Sequence, residues 1–171
     1  YITSKDGHLS TMSIGSRLPF LKENTFKIGN HQFSYEGAVF NGKLKKEEIV
    51  HKAFLFLNTP YLWGGKTPFG IDCSGFTQMF YKINGYKLLR DAKDQATQGE
   101  TLSFIEESEP GDLAFFHNKE DVIVHVGIIL MDNHIIHASG KVRIDRLDQT
   151  GIYNNEKNTH THYLRYIKKI I

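Results

Sequence analysis

The 171-residue chain holds one cysteine, Cys73, within PYLWGGKTPFGIDCSGF (residues 60–76). The thiol stands where a glycine-punctuated loop gives way to CSGFTQMFYKIN. That segment reads as a helix with Phe76, Met79, Phe80 and Ile83 on one face and a stop at Gly85. A side chain at a helix start meets unpaired backbone N–H groups and the positive end of the helix dipole. Both favour thiolate over thiol, so the position suits a nucleophile. Gly64, Gly65 and Gly70 would let backbone come close to a substrate. Position alone leaves a structural thiol on a buried helix face equally open, because free cysteine is commonly buried.

A nucleophilic thiol needs a base within hydrogen-bond reach and a third group to orient that base. Of nine histidines, His125 interrupts the apolar run VIVHVGIIL and His137 interrupts HIIHAS. An imidazole inside an apolar strand requires a partner. If the two strands pair through an odd-length loop around Asp132-Asn133, His137 faces Gly127, and both rings lie on one sheet face as diagonal neighbours. A two-residue loop would send them to opposite faces. In the odd-loop register, Gly127 opposite His137 would leave open space beside the base. Zinc held by Cys73, His125 and His137 is the weaker reading, since zinc motifs place at least two ligands close in sequence. His117, His134, His160 and His162 read as solvated strand-end or loop residues.

The elements that must position these groups fall in a clear order. Residues 1–42 read as three or four short strands with turns at Gly15-Ser16, Gly29-Asn30 and Gly37. KLKKEEIVHKAFLFLN reads as an amphipathic helix burying Ile49, Ala53, Phe54 and Leu57, and RDAKDQATQGE as a short helix capped by Asp91 and stopped at Gly99. From Pro110 the texture changes to strands: DLAFFH, VIVHVGIILM, HIIHAS, KVRIDRL and THYLRYIKKII. Helices followed by antiparallel strands indicate an α+β fold, divided into a β-rich segment 1–42 and a larger domain 43–171.

The composition narrows the class. Apolar residues make up 40% of the chain, enough for a real core, while the net charge of +2 with scattered Lys and Arg gives no nucleic-acid stripe. No apolar run approaches the roughly 20 residues of a membrane span. The chain opens without Met or a signal-like stretch and reads as a mature or trimmed form.

Taken in order, PYLWGG, DCSGF, LLRDAKDQATQGE, EPGDLAFF, HVGIIL and HIIHASG resemble the NlpC family of papain-like cysteine peptidases, which cleave bacterial cell-wall peptides. The resemblance runs from about Leu44 to the end of the chain and implies a papain-like α+β core. Carried over residue by residue, it implies Cys73 as nucleophile, His125 as base, His137 as the orienting group and Tyr61 as an oxyanion donor. It puts Asp72, Ser74, Trp63 and Gly127 on the substrate side, and makes Arg90 and Gln95 structural. Leu89 departs from the Pro that many members carry, a loop difference remote from the chemistry. HASGKVRIDRLDQTGIY is similar to the branch acting on the bond between γ-D-glutamate and a diamino acid, often meso-diaminopimelate. Residues 1–42 resemble the end of an SH3-like barrel. No metal or organic cofactor is implied.

The expected partner is a peptidoglycan-derived peptide, met by a monomer in the cell envelope. Two rivals carry different outcomes: a related amidase or acyltransferase on another amide, and a non-catalytic wall-binding module with an inert thiol.

Overall fold

Turn chemistry sets the first strands. A computed structural model describes residues 1–171 as two compact units, Tyr1–Asn41 and Gly42–Ile171. In the first, β1 (Ile2–Ser4), β2 (Leu9–Ser10), β3 (Thr25–Ile28) and β4 (His31–Tyr35) form an antiparallel sheet in the order β2-β1-β4-β3. Gly29, at φ +57°, makes the β3–β4 turn, and Phe26 is buried with its ring stacked on Phe33 at 5.7 Å.

The second unit opens with a departure from the expected amphipathic helix. Only one α turn forms, α1 (Lys46–Ile49), and Val50–Phe56 continues as a 3₁₀ helix. With three residues per turn, Ala53 and Phe56 share the inner face, while Phe54 and Leu57 stay 45% and 40% exposed. The hairpin β5 (Lys66–Thr67) and β6 (Gly70–Ile71) leads into α2 (Cys73–Ile83), whose Phe76, Met79, Phe80 and Ile83 are buried as their spacing requires. Gly85, at φ +89°, follows the helix end. The third helix is shorter than its sequence suggests: α3 spans Ala92–Gln95, and Asp91 stands at its N-cap without a side-chain cap bond.

The strands are β7 (Glu100–Leu102), β8 (Leu113–His117), β9 (Ile123–Ile129), β10 (His134–Ser139), β11 (Lys141–Leu147), β12 (Gly151–Asn154) and β13 (Thr159–Lys169). They form one antiparallel sheet in the order β12-β11-β10-β9-β8-β13-β7. A further β12–β13 pairing closes six of them into a ring. Ala114, Phe116, Ile129, Ile135, Leu147, Ile152 and Ile167 make one buried cluster on the strands. By the two-residue alternation of strands, His125, His137 and Asp145 are in phase with Ile129, Ile135 and Leu147, so three polar side chains share that apolar face. Helix α2 packs against β9 and β10.

Candidate active site

The tip of α2 is built around Asp72. Its carboxylate accepts from the N–H of Gly75 at 2.6 Å, which caps the helix, and from Gly64 N–H at 2.8 Å, which ties in the preceding loop. Arg90 clamps the same carboxylate through Nη2 at 2.6 Å and Nη1 at 3.1 Å, and Nη1 also donates to Ser74 Oγ at 2.9 Å. Four N–H donors hold the Asp72 carboxyl below the usual carboxylate range, although burial pulls the other way. Gln95, fully buried, donates to the carbonyls of Ser74 and Leu89, each at 2.9 Å, and accepts from Thr77 Oγ1 at 2.7 Å. Arg90 and Gln95 therefore fix the first turns of the helix, and Asp72 spends its lone pairs on the same task.

The β9–β10 ladder ends at the pair His137↔Gly127. Beyond it the backbone N–H groups of Val126, Ser74 and Cys73 bear on the Cys73 sulfur and favour its charged form. The sulfur thus lies against β9 at the residue after His125. Cys73 is only 7% exposed. Burial and the neighbouring Asp72 charge push its pKa up, outweighing the three N–H donors. Burial thus works against the thiolate that a helix tip favours. The Tyr61 hydroxyl is pushed up by its own burial and then by Cys73 and Asp72, which places it within their electrostatic reach. Tyr61 itself is pinned by its N–H to the Gly140 carbonyl at 2.9 Å and by a bridge to Ile71. Trp63 stands out from the same loop, 86% exposed.

The histidines meet in the register expected of an odd loop. Leu130 N–H bonds the His134 carbonyl at 2.8 Å, leaving Met131, Asp132 and Asn133 as the loop, with the last two at φ +55° and +56°. His125 Nε2 lies 2.8 Å from His137 Nδ1, and His137 Nε2 lies 3.0 Å from Asp145 Oδ2. Burial, then the neighbouring imidazoles, pulls His125 well below the ordinary 6.5. Burial also lowers His137 despite the Asp145 carboxylate. Both rings are neutral at pH 7 and ready to accept a proton.

Two further residues belong to the cluster. His162, on β13, stacks on His125 with ring centroids 4.2 Å apart and 29° between planes, and burial brings its pKa down to about 4. It is not a solvated strand-end residue, because the β12–β13 closure turns it inward. Asp145 is 4% exposed and bonded to His137. Its sequence signal was its alternation in phase with Leu147. Gly127 does not leave open space: a Cβ there would lie 2.7 Å from Ile135 Cδ1 and 2.9 Å from His137 Cβ.

Nitrogen atoms of His125, His137 and His162 lie within 4.8 Å of one another, a spacing that invites comparison with a metal centre. A tetrahedral zinc with Zn–N near 2.0–2.1 Å would hold its nitrogens roughly 3.4 Å apart. The 2.8 Å contact between His125 and His137 is instead that of a hydrogen bond.

Comparison with known proteins gives the family of a chain that carries a helix-tip cysteine and a strand-borne histidine pair. The NlpC/P60 family model matches residues 58–161, and the chain belongs to that family. A γ-D-glutamyl-L-lysine dipeptidyl-peptidase of Bacillus subtilis is 41% identical over 64% of this chain and 38% of its own length. A Bacillus cereus protein of the same name is 30% identical over 81% of this chain and 46% of its own. The chain thus spans less than half the length of these curated relatives. The crystal structure of a Bacillus cereus NlpC/P60 family protein superposes with a TM-score of 0.80 at 23% identity, covering 99% of this chain and 59% of that one. It supports the mixed helix and strand fold.

Proposed function

We propose that the chain is a papain-like cysteine peptidase that hydrolyses the bond between γ-D-glutamate and a diamino acid in cell-wall peptides. The observation that carries this reading is the 2.8 Å contact between His125 on β9 and His137 on β10, with the N–H of Val126, next to His125, bearing on the Cys73 sulfur. Cys73 is the nucleophile, His125 the base and His137 the group that orients the base. Since both thiol and imidazole rest neutral, the thiol proton moves to His125 as sulfur attacks the γ-glutamyl carbonyl. The Cys73 N–H and the Tyr61 hydroxyl hold the oxyanion. His125 returns the proton to the departing amine and then draws one from the water that cleaves the thioester. Ser74 and Trp63 form the substrate side of the helix tip, and Asp72 shapes it through Arg90.

The names of the two Bacillus relatives support the γ-D-glutamyl side of the scissile bond. Residues 1–42 are read as the end of an SH3-like barrel, in keeping with their small antiparallel sheet. A wall-peptide substrate puts the site of action in the cell envelope. No helix is long and apolar enough to cross a membrane. Product masses from a panel of tri-, tetra- and pentapeptide stems, with and without a free N-terminal alanine, test the bond. Cleavage on the carboxyl side of γ-D-glutamate is expected, and cleavage at any other amide contradicts the assignment.

A further inference from the structure

Two diagonal steps cross three strands. His137 faces Gly127 on β9, two residues from His125, and faces Arg143 on β11, two residues from Asp145. Each step places polar side chains on one face at hydrogen-bond distance, so Asp145, His137 and His125 form one bonded line that ends at the residue before Val126, whose N–H bears on the Cys73 sulfur. We propose that Asp145, held by Arg143, is a positioning residue that sets the direction of every proton in this line and so leaves Nδ1 of His125 as the nitrogen that receives the thiol proton. This inference rests on the Cys73–His125–His137 reading above.

Arg143 anchors the far end of the line. Arg143 donates Nε to Asp145 Oδ2 at 2.7 Å and Nη2 to Oδ1 at 2.9 Å. A guanidinium has no acceptor, so both oxygens must accept, and a carboxylate is the form that does so. The same two groups, His137 and Arg143, hold the Asp145 carboxyl below its ordinary range against the effect of burial. Asp145 Oδ2 therefore accepts from His137 as well, and His137 carries its proton on Nε2. A neutral imidazole has one N–H, so His137 Nδ1 is an acceptor. The atom 2.8 Å from it, His125 Nε2, must donate. His125 is then unprotonated at Nδ1. When the thiol proton moves to Nδ1, the S–H bond breaks, the sulfur keeps the electron pair, and the new imidazolium remains bonded through Nε2 to His137.

Asp145→Asn keeps the shape and breaks the logic. An asparagine amide has one acceptor oxygen, and its NH₂ must face either Arg143, which only donates, or His137 Nε2. In the second arrangement His137 holds its proton on Nδ1, His125 Nε2 becomes the acceptor, and the proton of His125 occupies Nδ1. In a serine triad the corresponding change costs on the order of 10⁴ in kcat through the wrong tautomer. Here the expected loss in kcat is at least about tenfold, with KM altered by less than about twofold, because Asp145 lies behind the reacting atoms.

The test is ¹⁵N-imidazole NMR on histidine-labelled full chain, beside kcat and KM on a γ-D-glutamyl-diamino acid peptide, for wild type and Asp145→Asn. Wild type should show pyridine-type nitrogen at His125 Nδ1 and His137 Nδ1, and the variant should lose that pattern together with kcat. A wild-type His125 protonated at Nδ1 overturns the inference, and that reading stands even if the variant does not fold. So does a variant that keeps both tautomers and its kcat within twofold. Cys73→Ala separates the two levels: if it still cleaves the peptide, the underlying reading fails, whereas an inactive Cys73→Ala beside a fully active Asp145→Asn sinks the role of Asp145 alone.

Discussion

His162 lies flat on His125, with ring centroids 4.2 Å apart, and so shields one face of the candidate base from water. Burial is the largest cause of the lowered His125 pKa, and the His162 ring is a further one. Replacing His162 by Ala admits water and removes a neighbour that opposes positive charge. The acid limb of the kcat/KM profile should then move toward pH 6.5, while the wild-type limb lies well below it. An unmoved limb in His162→Ala would show that the stack does not tune the base.

The same burial makes folding sensitive to acid. His125, His137 and His162 all have folded-state pKa values below the unfolded 6.5, the last at about 4. Above 6.5 neither state binds the proton and the three groups contribute nothing to pH dependence. As pH falls from 6.5 toward 4 the unfolded chain takes up protons that the folded one refuses, and stability drops. Thermal melts across this window should show Tm falling with pH, and His162→Gln should flatten the slope. A Tm independent of pH there contradicts the buried neutral cluster.

Gly127→Ala should disturb the site from behind. The added methyl meets Ile135 Cδ1 at 2.7 Å and His137 Cβ at 2.9 Å. The isoleucine tip can rotate away, but the His137 Cβ is fixed by its strand. Overpacking of this kind costs about 1–3 kcal/mol, measurable by urea denaturation, and should lower kcat as well. Wild-type stability and rate would mean that the space is looser than the contacts imply.

Tyr61→Phe isolates the hydroxyl. The backbone pins of Tyr61 do not involve its side chain. Stability should therefore hold, while kcat falls by about 10²–10³ if the hydroxyl supports the oxyanion. Equal kcat in the two proteins would remove Tyr61 from that role.

The sequence shows some of these relationships and hides others for physical reasons. The His125–His137 pairing was legible because strand alternation and loop parity are local rules, and Gly127 marks the register. The start of α2 was legible from its apolar spacing. The ionisation of Cys73 was not, because the helix tip favours thiolate while burial and Asp72, which depend on the packed fold, outweigh it. The 3₁₀ segment was hidden because VHKAFLF fits a period of three almost as well as one of 3.6. His162 was hidden because THTHYLRY gives no cue that β12 and β13 close the ring. Asp145 lay in KVRIDRL, where alternating charges resemble a solvated strand; only its phase with Leu147 sets it inside.

The most direct measurement is digestion of a defined γ-D-glutamyl-diamino acid peptide by wild type and by Cys73→Ala, followed by mass spectrometry. Wild type should release the free diamino-acid fragment and the variant none, with the variant's melting temperature preserved. Release of the same fragment by Cys73→Ala would contradict it.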